Sequence, residues 1–230
     1  MTTAAFTAPR GARWASAALV LLTLAVGLAL EWVPDDADQG FSQRIFYLHV
    51  PIALTAYACF GVAAWKALRL LATGVERYDV ESAGAVHIGT IFGALTLLTG
   101  SIWARISWGV WWTWSESQLV LFLVIFLFYS AYFMLRQSVA PGIARARLSA
   151  VFALLGVVLI PVSFLAIRLA ANYIHPVVFT QKGPQMASSM LFVFALSLAG
   201  MLALASALYA FEVGGKLLDR RLRELKEGIA

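Results

Sequence analysis

Hydrophobic positions fall in six long runs separated by short polar breaks: Trp14 to Leu30, Ile45 to Trp65, Ser82 to Ala104, Leu119 to Leu135, Leu148 to Ile167 and Ser188 to Phe211. A hydrocarbon core about 30 Å thick is crossed by about 20 helical residues, so each run has the length of one span. In lipid the runs are expected to be helices, because an open strand would leave backbone N–H and C=O groups without partners. The pattern predicts an all-α, polytopic membrane protein forming one membrane domain. Its six transmembrane helices are expected near residues 14–33, 45–72, 82–104, 118–137, 148–171 and 188–213, with an outer loop at 105–117.

Two of these runs need a further word. Arg10 and Arg13 precede the first one, as basic residues precede a secretory signal, but its unbroken apolar length exceeds an h-region of about 7 to 15 residues. It is therefore expected to be a retained helix. After the sixth run, Lys216 to Glu227 alternates leucine with charged residues at helical spacing, which predicts a continuation of the last helix as a solvated or headgroup-facing end.

Composition agrees with this pattern. The 230 residues are 61% apolar and 13% charged, whereas soluble domains are about half apolar and about a quarter charged. The net charge of +5 does not indicate a nucleic-acid partner, because the basic residues are scattered among short loops and one helix end. With the N-terminus cytoplasmic, the inner segments hold Arg10, Arg13, Lys66, Arg69, Arg77, Arg136, Arg145, Arg147, Lys216, Arg220, Arg221, Arg223 and Lys226. Only Arg44, Arg105, Arg168 and Lys182 of the 17 basic residues then lie outside. The positive-inside rule thus predicts cytoplasmic N- and C-termini. Cys59 is the single cysteine, so an intrachain disulfide, a C-x-x-C redox pair and a C-x-x-C-H covalent haem site are all excluded.

In this orientation the unusual chemistry collects on the outer side. Four of eight tryptophans, Trp108, Trp111, Trp112 and Trp114, fall within seven residues, with Trp103 just upstream. One reading is an aromatic belt at the headgroup level. The other is a platform for a large planar apolar ligand such as a porphyrin, held by offset stacking and buried area.

His49 lies at the start of the second helix in Tyr47-Leu48-His49-Val50-Pro51, where proline is tolerated because first-turn amides lack intrahelical acceptors. His175, between the fifth and sixth helices, is followed by Pro176, which biases it away from helical geometry. Two outer imidazoles flanking the tryptophan loop form either hydrogen-bonded bystanders or a pair of axial iron ligands. Arg44, Arg105 and Arg168 stand on the same side, either snorkelling to the interface or pairing with haem propionates. Glu116 follows the last tryptophan and either orients a ligand or is solvated. His87 belongs to the cytoplasmic end of the third helix and is expected to be a hydrogen-bonded helix residue.

The stretch Trp108-Gly109-Val110-Trp111-Trp112-Thr113-Trp114 resembles the signature W-G-x-W-W-x-W-D of the haem-handling membrane proteins of cytochrome c maturation, the CcmC, CcmF and CcsA group. The resemblance continues through Ile88-Gly89, Phe92 and Leu98-Thr99-Gly100-Ser101-Ile102-Trp103, and at Tyr47-Leu48-His49-Val50-Pro51. With six helices in 230 residues it covers essentially the whole chain and favours the CcmC branch over its longer relatives. After the last tryptophan this chain has Ser115-Glu116-Ser117-Gln118 in place of the family's Asp followed by Arg.

The resemblance implies that His49 and His175 are the axial ligands of a transient, non-covalent haem b. Trp108, Trp111, Trp112 and Trp114 would form the platform, and Arg105 and Glu116 would stand in for the missing Asp and Arg. It further implies a bacterial cytoplasmic membrane location, an outer haem site, and no covalent chemistry by this chain. The implied partners are a CcmE-like haem chaperone, a small CcmD-like subunit and a CcmA/CcmB ATP-binding-cassette pair. Two other functions share these features: a component of a haem lyase of the CcsA or CcmF type, and a cytochrome b-like electron-transfer subunit. The first would need additional helices and an outer domain, and the second would need histidines facing each other within a bundle.

Overall fold

The computed structural model describes residues 10–36, 39–169, 179–180, 183–184 and 186–229, with backbone alone at 10, 166–169, 179–180 and 229. Six helices account for nearly all of this: α1 (Arg10–Glu31), α2 (Phe46–Thr73), α3 (Arg77–Trp108), α4 (Ser117–Ser138), α5 (Ile143–Leu169) and α6 (Ser188–Ile229). A short 3-10 helix, Phe41–Ile45, leads into α2. Between α5 and α6 a two-residue antiparallel ladder pairs β1 (Phe179–Thr180) with β2 (Gly183–Pro184). All six helices are long and apolar enough to cross a membrane, and the chain is a multi-pass, all-α membrane protein.

The observed helices outrun several of the hydrophobic runs. Helix α3 extends four residues beyond the expected end at 104, and α5 begins at Ile143 rather than 148. Hydropathy marks the width of the hydrocarbon, but a helix continues into the headgroup layer because its backbone bonds are satisfied there and charged side chains reach water. As a result Arg105 and Trp108 belong to the last turn of α3 and not to a loop. The same logic makes α6 a 42-residue helix, about 63 Å long at 1.5 Å per residue, roughly twice the hydrocarbon thickness.

Helix α2 is the hub, packed against α3 along its length and also against α5, α6 and α1, while α1 lies mainly on α6. Its inward face alternates small residues with rings: Ala56, Ala63 and Ala67 are fully buried, and Phe60 stacks on Tyr129 of α4 with centroids 3.7 Å apart and planes within 2°. Large apolar side chains such as Leu19 (70% exposed) and Met134 (71%) point outward, which suits lipid and would be costly in water.

Basic and acidic side chains pair at the end where α2 finishes and α3 begins. Arg136 of α4 grips buried Asp79 of α3 through both carboxylate oxygens, at 2.6 and 2.9 Å. Arg220 of α6 stands 4.0 Å from the same carboxylate, and Lys66 and Arg77 both pair with Glu81. His87 binds Glu212 of α6 at 2.9 Å, so it is the hydrogen-bonded helix residue expected of it. A cleft of about 40 Å³ beside Asp79, Arg145 and Arg220 has room for a small ion or a few waters, not a porphyrin.

Candidate functional site

At the opposite end, α2 begins where α3 finishes, and this brings His49 against the last turns of α3. The imidazole is 8% exposed and its Nδ1 lies 2.8 Å from Thr99 Oγ1. Thr99 in turn donates to Leu95 O at 2.8 Å, with Thr96 O at 3.3 Å. One helical turn further on, the Trp103 indole meets the His49 ring edge to face, with centroids 5.6 Å apart. The ring fits because residue 100 is glycine: a Cβ there would lie 2.9 Å from His49 Cε1. His49 is thus set into the α2–α3 seam by the Thr99 hydrogen bond, the Trp103 contact and the absence of a side chain at Gly100.

A second buried cluster supports this arrangement. Phe46, Tyr47 and Trp103 pack with Ala29, Val33, Val193 and Phe194, so α1 and α6 also brace the histidine's surroundings. Trp103 Nε1 donates to Gln39 Oε1 at 3.0 Å, tying α3 to the segment that precedes α2.

Gly109, in the left-handed region at φ 75°, ends α3, a conformation that costs a Cβ-bearing residue about 1 kcal/mol or more. The turn it makes releases the tryptophan loop, whose indoles face different ways. Trp111 and Trp114 are 60% and 72% exposed. Trp112 is half-buried and meets Trp114 edge to face at 5.7 Å. Its Nε1 is buried without a hydrogen-bond partner among the described residues, as is Oε1 of Gln118 in the first turn of α4.

Glu116 lies at the N-terminal boundary of α4 and is 2% exposed. The expectation that it could be solvated is therefore overturned, since the folded chain buries it. A carboxylate at this position is favoured by the helix dipole. Arg105 is exposed and donates to the carbonyl of Gly109, closing the end of its own helix.

Arg44 is held by the end of α1. Its guanidinium pairs with Asp35 and donates to the carbonyls of Ala29 at 2.9 Å and Val33 at 3.3 Å, so it caps α1. Helix α1 leaves its last carbonyls without amide partners, and the nearby cation satisfies them. His175 and Lys182 lie outside the described residues, as does the side chain of Arg168.

Thr99, Gly100 and Gln118 join the site although the sequence alone assigns them no part in it. The first two were detectable, since Thr99 and Trp103 stand four residues apart on one face of α3 with Gly100 beside them. Gln118 has no comparable signal, because the burial of its Oε1 is decided by tertiary packing.

These features define a class: a six-helix membrane protein that carries a buried histidine and a loop of exposed indoles at the same end of its bundle. Comparison with known proteins makes the class specific. A family model described as "CcmC: Heme exporter protein C" matches residues 2–227. The protein named "Heme exporter protein C" in Bradyrhizobium diazoefficiens is 31% identical over 215 residues, covering 93% of this chain and 81% of its own length. Its namesake in Paracoccus denitrificans is 31% identical over 201 residues, covering 84% of this chain and 80% of its own. An Arabidopsis thaliana protein named "Putative cytochrome c biosynthesis ccmC-like mitochondrial protein" is 27% identical over 194 residues, covering 84% of this chain and 73% of its own. The chain belongs to the CcmC family.

The residues present fit a haem. Trp112 Nε1 is a buried donor lacking an acceptor, which a propionate oxygen could supply. Trp111 and Trp114 offer indole surface to a planar ring. His49 offers an imidazole, an iron ligand in many haem proteins.

Proposed function

We propose that this chain binds haem at the outer face of the bacterial cytoplasmic membrane and presents it to a CcmE-like chaperone for cytochrome c maturation. The observation that carries the reading is the presence, at one end of the helix bundle, of both a buried His49 and a loop exposing Trp111 and Trp114. Family membership supports it, since relatives bear the name heme exporter protein C. The excess of basic residues at the other end of the bundle supports an outward-facing site.

Haem b is cargo here, held without covalent bonds and passed on. His49 and His175 supply the axial nitrogens, and Trp108, Trp111, Trp112 and Trp114 lie along the ring. Trp112 Nε1 donates to a propionate, with Arg105 at the rim as a second cation. Glu116 positions the loop from beneath. The chain catalyses no bond formation; a CcmD-like subunit and a CcmA/CcmB pair complete the assembly, and the outward apolar faces of its helices meet lipid.

Absorption spectra of the protein purified in detergent test this directly. Wild type is expected to carry haem with a six-coordinate, low-spin spectrum, and His49→Ala or His175→Ala to lose it. Haem copurifying unchanged with the double variant would overturn the assignment.

A further inference from the structure

We propose that the cleft at the basic end of the bundle binds the phosphate group of an anionic phospholipid, held by Arg145 at the start of α5 and Arg220 of α6. Its lining comes from three places: Gly142, Ile143 and Arg145 at the start of α5, Arg220 on α6, and Glu76 and Asp79 where α3 begins. Arg136 grips Asp79 through both carboxylate oxygens, and Arg220 stands 3.8 Å from Glu76 and 4.0 Å from Asp79. Arg145 enters none of these pairs, and its Nε is buried with no hydrogen-bond partner among the described residues. Three guanidiniums against two carboxylates leave one positive charge in excess. A buried guanidinium N–H without an acceptor is unfavourable, and an anion supplies both the acceptor and the opposite charge.

Helix α5 adds to the attraction. Its first rung joins Ala146 N to Gly142 O at 3.1 Å, so the amides of Ile143, Ala144 and Arg145 have no acceptor within the helix. The preceding Val139-Ala140-Pro141-Gly142 offers no side-chain oxygen to cap them. The positive end of the α5 dipole therefore opens beside the same cleft that Arg145 lines.

Size and setting select the ligand. A cleft of about 40 Å³ admits a phosphate group but not a glycerol backbone or acyl chains, which lie outside it. Leu148, Val151 and Leu155 form an exposed apolar stripe on α5 that starts within one turn of Arg145, a surface for an acyl chain. A phosphodiester brings one negative charge, matching the excess, whereas a phosphate monoester brings about 1.5 to 2 at pH 7. A zwitterionic headgroup would add an ammonium to a group that is already cationic. Basic pockets between transmembrane helices recurrently hold acidic headgroups.

The experiment titrates the full-length, delipidated chain in a neutral detergent with phosphatidylglycerol or phosphatidylcholine, and native mass spectrometry counts the lipid retained. Wild type is expected to hold one phosphatidylglycerol in preference to phosphatidylcholine, and Arg145→Gln to weaken it about 10- to 100-fold. Arg147→Gln removes the same charge from an exposed position that does not line the cleft, and should weaken binding by no more than about 5-fold. Equal weakening by the two variants would overturn the proposal in favour of diffuse surface attraction. Phosphatidylcholine held as tightly as phosphatidylglycerol would also overturn it, as would displacement of the lipid by millimolar inorganic phosphate, which would assign the cleft to a soluble anion. Should Arg145→Gln not fold, Ile143→Asp sets a carboxylate in the first turn of α5, where the dipole tolerates it. Phosphatidylglycerol binding unchanged in that variant would refute the site.

Discussion

Replacing Gly100 by alanine sets a methyl group 2.9 Å from Cε1 of His49 and 3.6 Å from each ring nitrogen. Carbon atoms in van der Waals contact sit about 3.5 to 4.0 Å apart, so the ring must retreat by roughly 0.6 Å or more. The Thr99 hydrogen bond, at 2.8 Å, has about 0.4 Å to spare before it leaves the usual N–H···O range. Overpacking of this kind costs about 1 to 3 kcal/mol and a lost hydrogen bond about 1 kcal/mol. Against these, alanine in a helix interior gains about 1 kcal/mol over glycine. Crowding wins, and Gly100→Ala should be destabilised by about 1 to 3 kcal/mol, with weakened haem binding. Gly61→Ala is the control: nothing lies within 4 Å of a Cβ at that position, so only the helix-propensity gain remains. Thermal unfolding and haem titration of both variants in the same detergent measure the difference. Equal stability and equal haem affinity in the two would refute the claim that His49 is wedged against α3.

Two further perturbations separate function from scaffold. Trp111→Ala with Trp114→Ala removes side chains that are 60% and 72% exposed, so the unfolding temperature should hold while haem transfer to the chaperone falls; Trp103→Ala, at 8% exposure, should cost about 3 to 5 kcal/mol of stability. At the other end, Arg136→Ala leaves the buried Asp79 carboxylate with Arg220, 4.0 Å away, as its ion-pair partner among the described residues. Unpairing a buried charge costs about 3 to 5 kcal/mol, so denaturant unfolding should show a loss toward the lower figure, and one below about 1 kcal/mol would contradict a clamping role.

Helix number and the chemistry of the loop were open to inspection in the sequence for a simple reason. Lipid enforces a uniform rule on every span, and a tryptophan cluster after a glycine stands out wherever it folds. The ends of α3 and α5 were less legible because hydropathy stops at the hydrocarbon boundary while backbone hydrogen bonding does not. Glu116 shows the same limit in another form: its neighbours Ser115 and Ser117 are polar, yet the tertiary fold buries it.

His49 divides the two kinds of information. Its residue type, its position at the start of a span and its company with a tryptophan loop were determined by local order along the chain. Its partners were not, because Thr99 and Trp103 lie 50 and more residues away and meet it only when α2 and α3 pack antiparallel. Arg44 was decided in the same manner, since the carbonyl it binds on α1 lies 15 residues away. Sequence determines which groups reach the membrane surface; packing decides which of them are already spoken for and which remain to meet a ligand.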